Sequence, residues 1–256
     1  MTKWESLLAR ALLILRSAAS AGALAREWSL GGGTALMLRF HHRASEDIDI
    51  FVTDPQMLGY LSPRLNPVAE SLTPDYAEGP GFVKLYFPEG QVVFIVSGHL
   101  TASPITREIV LGREIPLETP AEIVAKKLWY RAADFTARDI FDLAFVARRE
   151  PRAILQTGDV LRMRRDPLLK RLLRAEEALR EQFEALDVLQ EELEFDDCMR
   201  EIRGLLSEDL ARRPPRVEQP RARYRAEKRG LSPIFIGSVF VPRASGPVSR
   251  ITHTAV

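Results

Sequence analysis

Two aspartates separated by one residue carry the strongest chemical signal in this chain of 256 residues. Asp47 and Asp49 lie in the run Asp47-Ile48-Asp49-Ile50-Phe51, which alternates polar and apolar residues as a half-buried strand does. Residues i and i+2 of a strand point to the same face, so the two carboxylates should project together. Such oxygen ligands suit Mg²⁺, which also bridges to substrate phosphates. We therefore predict a Mg²⁺ site at Asp47 and Asp49; a solvated strand face is the alternative.

A glycine turn precedes these aspartates. Gly31, Gly32 and Gly33 allow a sharp turn and a close approach of the backbone to a phosphate. Thr34 follows in the position of an N-cap, and the helical pattern continues to Phe40. We predict that this turn contacts the phosphates of a nucleotide.

Two cationic residues share one face of a later helix that starts at Thr119. Lys127 and Arg131 are four residues apart, and like charges at this spacing repel unless an anion lies between them. A triphosphate is the obvious candidate anion. Asp139 and Asp142, on one face of the next helix, either belong to the same site or are acids favoured by the helix dipole.

The composition is that of a soluble globular protein, with 46% hydrophobic and 28% charged residues and a net charge of +1. The chain has one cysteine, so no internal disulfide can form, and a reducing cytoplasm is expected. No apolar run approaches the roughly 20 residues that span a bilayer. We therefore expect a cytoplasmic protein without a membrane partner.

The order of elements predicts an α+β fold, a mixed sheet flanked by helices and followed by a helical part. We expect a core over residues 1–118, a helical domain that completes the cleft over 119–210, and a tail over 211–256. Residues 211–230 of this tail are basic and proline-rich and are expected to be flexible, and residues 231–256 contain a β-like run, PIFIGSVFVP. Its charge suits phosphate backbones; a solubilising tail is the alternative.

The stretch GGGTALMLRFHHRASEDIDIF resembles the first motif of the AbiEii/AbiGii-type nucleotidyltransferases. A second signature of that family, K-L-x-x-R and then R-D-x-x-D-L, is matched by Lys127, Leu128, Arg131, Arg138, Asp139, Asp142 and Leu143. The family belongs to the polymerase-β-like nucleotidyltransferases, and many members are toxins of type IV toxin–antitoxin systems. The resemblance thus implies a polymerase-β-like core, transfer of NMP from an NTP to an RNA hydroxyl, first of all a tRNA 3′ end, and an antitoxin partner.

The predicted site combines the residue patterns with this resemblance. Asp47, Asp49, Lys127 and Asp139 are the predicted catalytic residues, with Mg²⁺ on the first two. The predicted nucleotide-binding residues are Gly32, Gly33, Thr34, Arg43, Ser45 and Arg131.

One position departs from the family pattern. The resemblance implies a third acid, in a form such as VDFIV, but the chain reads VVFIV and has Val93 there. Valine can neither bind a metal nor accept a proton. Three alternatives stay open: the enzyme is impaired, Glu89 or Asp75 substitutes, or the position was changed to disarm a toxic protein. A catalytically silent nucleotide-binding protein and transfer onto a protein partner are the rival functions.

Overall fold

The computed structural model describes residues 2–22, 28–190 and 193–207, together with the backbone of three short strands between residues 234 and 251. The helices are α1 (Lys3–Ser20), α2 (Gly32–Phe40), α3 (Met57–Leu61), α4 (Pro67–Leu72), α5 (Pro120–Arg131), α6 (Ala137–Arg149), α7 (Pro151–Gln156), α8 (Gly158–Arg174), α9 (Glu176–Glu184) and α10 (Phe195–Ser207). The strands are β1 (Trp28–Gly31), β2 (Ile48–Val52), β3 (Tyr76–Gly79), β4 (Phe82–Phe87), β5 (Gly90–Val96), β6 (Ile105–Val110), β7 (Arg113–Glu118), β8 (Ile234–Ile236), β9 (Val239–Val241) and β10 (Arg250–Ile251). None of the helices in these ranges is both long and apolar enough to cross a bilayer.

The main sheet is mixed, as predicted, and has the order β10-β3-β4-β5-β2-β1-β7-β6. The central strand β2 runs antiparallel to β1 and parallel to β5, and β1 runs parallel to β7. Hairpins form the two flanks, β3-β4-β5 on one side and β6-β7 on the other. The combination of this sheet with the helices confirms the α+β class.

One face of the sheet is the hydrophobic core, which is covered by α1. Leu7, Leu8 and Ile14 of α1 are fully buried in the same cluster as Ile48 and Ile50 of β2. The alternation in β2 therefore sends its isoleucines into the core, as predicted, and leaves the intervening aspartates on the opposite face.

The second half of the described chain is helical, as expected. An aromatic cluster joins three of its helices: Phe141 and Phe145 of α6 contact each other, Phe141 contacts Phe183 of α9, and Phe183 contacts Phe195 of α10. After α9 the backbone returns to the core, where the Ala44 N–H donates to Asp187 O at 2.7 Å. The helical part is thereby fastened next to the strand that carries the aspartates.

The sequence over residues 56–70 predicts a single helix, with Pro63 and Pro67 making its limits uncertain. That prediction is wrong, because two short helices are present there and Asn66 caps the second one, with Pro67 in its first turn. The β-like run near the C-terminus does form strands, since β8 and β9 pair antiparallel. The rest of the predicted flexible tail, 211–256, lies outside the described residues apart from β10, and the three domain boundaries stay predictions.

Candidate active site

The two aspartates share one face of β2. Asp47 directly precedes the strand and its Oδ1 accepts a hydrogen bond from the Gln91 N–H at 3.1 Å. Asp49 is only 2% exposed, which is unusual for a carboxylate, and its Oδ1 has no hydrogen-bond partner. Burial, reinforced by the negative charge of Asp47, raises the pKa of Asp49 to about 7, although Lys127, Arg131 and Lys84 oppose the shift.

A divalent cation fits this pair of carboxylates. An unpartnered buried oxygen and a repelled carboxyl are both stabilised when a cation binds, and hard oxygen ligands favour Mg²⁺. Within the described ranges, no three His, Cys, Asp or Glu side chains are grouped as a metal site. Asp47 and Asp49 would therefore hold the ion by themselves, and a nucleotide and water would supply the other ligands.

The glycine turn lies directly against Asp49. Gly31 is the N-cap of α2, and Gly32, its first residue, has a φ of 67°, in the left-handed region that favours glycine. A Cβ on Gly32 would collide with Asp49 Oδ2, and a Cβ on Gly31 would collide with the carboxylate of Glu118. The glycines are required here because two buried carboxylates touch the backbone.

The prediction that Thr34 is the N-cap is wrong, because α2 already begins at Gly32. Thr34 is fully buried, and its Oγ1 donates to the backbone oxygen of Asp47 at 2.5 Å and lies 3.0 Å from Ser45 Oγ. Its hydroxyl thus fixes the loop that leads into β2. The side chain lies behind the cavity wall, whereas Ser45 and Gly33 line the cavity itself.

An anion does lie between the two cations of α5, and it belongs to the protein. Lys127 Nζ is 2.6 Å from Asp139 Oδ1, and Arg131 Nη2 is 3.2 Å from Asp139 Oδ2. Burial raises the pKa of Asp139, but Arg131 and Lys127 outweigh it and hold the pKa below its ordinary value. Asp139 also accepts the N–H of Thr136 and so completes a capping box at the start of α6. Asp139 therefore caps α6 and pairs with both cations of α5, and its place in a catalytic site stays a prediction.

Asp142 contacts three basic side chains, although it is not among the predicted catalytic or nucleotide-binding residues. Arg43 donates to it from Nε and Nη2 at 2.7 Å each, His42 Nε2 lies 2.9 Å away, and Lys127 Nζ lies 3.0 Å away. Burial alone would raise the pKa of Asp142, but Arg43 and Lys127 bring it well below the usual range. Arg43, predicted to bind nucleotide, is thus oriented by Asp142 while it lines the cavity.

Part of this set lines a cavity of about 510 Å³, namely Gly33, Arg43, Ser45, Asp47, Lys127, Arg131 and Asp139. Asp49 does not line it and instead lines the smaller cavity described below. That volume lies in the usual range for small-ligand sites. Its lining combines the acidic Asp47 and the hydroxyl of Ser45 with the cations Lys127, Arg131 and Arg138. The end of α9 and the segment after it also contribute, with the lining residues Gln182, Ala185 and Leu186.

A smaller cavity of about 30 Å³ lies behind the glycine turn and is lined by both Asp49 and Glu118. Glu118 is fully buried, and its Oε1 lies 2.5 Å from Lys126 Nζ. Burial raises the pKa of Glu118, although Lys126 opposes the shift. A helix-start pattern surrounds Glu118 in the sequence, and nothing in that pattern indicates a buried ion pair.

Val93 is the direct neighbour of Asp49 in the paired strands β2 and β5. Neither proposed substitute for a third acid stands there. Glu89 is held by both terminal nitrogens of Arg10, at 2.7 and 2.8 Å. Asp75 precedes β3, which lies three strands away from β2, or about 14 Å at ordinary strand spacing.

A mixed sheet that presents two acids beside a glycine turn, close to the cations of α5, is the arrangement that the sequence resemblance implies for a nucleotidyltransferase. The chain belongs to the nucleotidyl transferase AbiEii toxin family of type IV toxin–antitoxin systems, whose sequence model matches residues 13–233. The protein is accordingly a nucleotidyltransferase. None of the curated proteins compared with the chain matches it significantly.

Several solved structures are similar to the chain at low identity. MenT4, the nucleotidyltransferase toxin Rv2826c from Mycobacterium tuberculosis, is 17% identical, with 73% of this chain and 76% of that chain covered and a TM-score of 0.46. The antibiotic-resistance factor ANT(2'')-Ia is 14% identical, with coverages of 66% and 98% and a TM-score of 0.45. JHP933 from Helicobacter pylori is 19% identical, with coverages of 77% and 88% and a TM-score of 0.40. The family assignment rests on the sequence model alone.

Proposed function

We propose that the protein transfers NMP from a Mg²⁺-bound NTP to an RNA hydroxyl, with the 3′ end of tRNA as the first acceptor to test. The observation that carries the proposal is that Asp47, Ser45, Lys127 and Arg131 line one cavity. In this reaction the hydroxyl oxygen forms a bond to the α-phosphorus, the bond from the α-phosphorus to the β-bridging oxygen breaks, and pyrophosphate leaves. The hydroxyl proton passes to solvent.

The side chains divide the work by charge. Lys127 and Arg131 would stabilise the negative charge that develops on the leaving pyrophosphate, which is the largest electrostatic demand of such a reaction. Asp139 keeps both cations in place through contacts of 2.6 and 3.2 Å. The backbone at Gly33 and the hydroxyl of Ser45 would bind phosphate oxygens, because both line the same cavity.

Asp47 and Asp49 would hold Mg²⁺, and the ion, when bound, would neutralise phosphate charge. Because Val93 stands beside Asp49, no carboxylate is placed there to accept the proton of the acceptor hydroxyl. Loss of a general base typically costs a factor of about 10² to 10⁴ in rate. We therefore expect slow transfer.

The toxin family to which the chain belongs also implies an antitoxin partner. The single cysteine, Cys198, is buried and reduced, which supports a cytoplasmic location.

Incubation with each of four α-labelled NTPs, Mg²⁺ and total RNA tests the proposal. We expect label on RNA from at least one NTP, and a loss of at least about 10²-fold in Lys127→Ala. Lys170→Ala is the matched control, because Lys170 is an exposed lysine on α8. Absence of label from every NTP, in the wild type and in Val93→Asp alike, contradicts the proposal. Label on protein instead of RNA identifies a protein acceptor.

Val93 also favours a second candidate, a nucleotide-binding protein that does not turn over. Calorimetry with NTP and Mg²⁺ separates the two. Tight binding without label transfer, unchanged by Val93→Asp, supports the silent protein, whereas transfer in Val93→Asp alone identifies an impaired enzyme.

A further inference from the structure

A lysine occupies the strand position next to the missing acid. In the register of the sheet Asp49 of β2 pairs with Val93 of β5, and Val93 pairs with Lys84 of β4. Neighbours across paired strands point to the same face. Lys84 therefore shares the acidic face of the sheet with Asp49 and with Asp47, two residues earlier on the chain.

Lys84 is buried although it is charged. Only 4% of the residue is exposed, and its ammonium nitrogen lies 5.3 Å from the centre of the Tyr86 ring. Burial lowers the pKa of Lys84, while the attraction of Asp47 and then Asp49 raises it. Lys84 in turn is one of the cations that counter the rise in the pKa of Asp49. A buried ammonium persists where it has anionic neighbours, and Asp47 and Asp49 are those neighbours.

The strand position directly beside Asp49 is apolar, because Val93 occupies it. Val93 forms a small buried cluster with Phe51 and Ile95. A second metal ion would have to bind next to these hydrocarbon groups and next to the charge of Lys84. Neither the hydrocarbon groups nor the ammonium can supply the oxygen ligands that such an ion requires.

We propose that Lys84 is a built-in counter-ion for Asp47 and Asp49, so that this site takes a single divalent ion where a third carboxylate would allow two. Lys84 is on this account a positioning residue, whose ammonium lies on the same face of the sheet as the paired acids, holds them together without metal and repels a second cation. The inference rests on the proposed function, because it concerns the metal requirement of the same site.

Counting bound Mn²⁺ by electron paramagnetic resonance tests the inference without any turnover. The protein is titrated with Mn²⁺ alone, and then with Mn²⁺ in the presence of α,β-methylene NTP analogues. Wild type should bind one ion per chain at this site in both series. Two ions per wild-type chain overturn the inference, whatever the variants do.

The variants test the role of the lysine charge. Lys84→Met should bind Mn²⁺ about tenfold more tightly or better, because a positive charge beside the two carboxylates is lost. In EDTA at pH 8 the variant should also unfold at a lower temperature than the wild type, and Mn²⁺ should abolish this difference in melting temperature. Lys84→Arg keeps the charge and should behave as the wild type. The double variant Val93→Asp with Lys84→Met should bind two ions.

Lys170→Met is the matched control for loss of one exposed lysine, and its Mn²⁺ affinity should not change. Unchanged Mn²⁺ affinity in a folded Lys84→Met overturns the inference; where Lys84→Met does not fold, Lys84→Gln replaces it. The metal count tests the counter-ion role, the transfer assay tests the transferase proposal, and either can be contradicted without the other. A single Mn²⁺ without label transfer leaves the counter-ion role standing and rejects the transferase proposal, and two Mn²⁺ with label transfer do the reverse.

Discussion

At the scale of single residues, the site is a set of buried charged groups that stabilise one another. Asp142 is fully buried, yet Arg43, Lys127 and His42 all contact it. Breaking such a pair from one side costs about 3 to 5 kcal/mol, because it leaves an uncompensated charge in the interior. Asp49 differs, because its Oδ1 has no such partner. That oxygen, which no hydrogen bond satisfies, is the atom that a metal ion would bind.

Asp49→Asn should therefore stabilise the fold while it abolishes transfer. The pKa of Asp49 is raised to about 7, so between about pH 4 and pH 7 the folded state keeps a proton that the unfolded state has lost. Wild-type stability consequently falls over that window by at most about 4 kcal/mol. Thermal unfolding in EDTA should show equal melting temperatures near pH 4 and a higher one for the variant at pH 8.

The exposed Asp166→Asn on α8 controls for the loss of one acid and should leave the pH profile unchanged. Mg²⁺ should raise the wild-type melting temperature at pH 8 and leave that of Asp49→Asn alone. If Asp49→Asn melts below the wild type at pH 8, the charge of Asp49 does not destabilise the metal-free fold, and the prediction is wrong.

At the scale of elements, local periodicity was enough to predict where the aspartates point. The alternation from Asp47 to Phe51 predicted the strand, its buried isoleucines and its acidic face. The capping pattern at Thr119 predicted the start of α5, where the threonine accepts the N–H of Glu122. Such features depend on neighbours within four residues, which the sequence displays directly.

Other features depend on partners far away in the chain, and the sequence could not show them. Asp142 contacts Arg43 across 99 residues, and Ser29 donates to Glu118 across 89. Three successive glycines likewise hide the residue at which α2 begins, so that Thr34 was misplaced as a cap. Only the folded chain shows that Asp49 and Glu118 press on that turn.

Gly32→Ala should destabilise the glycine turn mainly because the new Cβ collides with Asp49, and less because of backbone strain. Its φ of 67° makes any side chain unfavourable, and the new Cβ would also displace Asp49 Oδ2. Gly112 offers a matched control, because its φ is 69° and no atom lies within 4 Å of an added Cβ. Gly112→Ala should cost about 1 kcal/mol and retain transfer. Gly32→Ala should cost more and lose Mn²⁺ binding, as measured by calorimetry; equal behaviour of the two variants would reject a role for the contact with Asp49.

At the scale of the whole molecule, the cavity exists because a helical part is fastened to a mixed sheet. The strand-like pairing that fastens it consists of Ala44 N–H to Asp187 O, at 2.7 Å, and Leu189 N–H to His42 O, at 2.9 Å. The residues just before this pairing, at the end of α9 and directly after it, line the cavity together with Asp47. Nucleotide affinity should therefore depend on two backbone hydrogen bonds that contain no catalytic group.

Leu189→Pro tests this dependence, because proline removes the N–H that His42 O accepts. We expect KM for the NTP to rise by about 3- to 10-fold, the effect of one hydrogen bond, with kcat nearly unchanged. Amide exchange at Ala44 should accelerate as the pairing loosens. Leu189→Ala keeps the N–H, and its side chain is already 41% exposed, so it should match wild type in both measurements. Were Leu189→Pro to leave KM and the Ala44 exchange rate unchanged, the wall formed by α9 would have to be held by the aromatic cluster of Phe141, Phe183 and Phe195 instead.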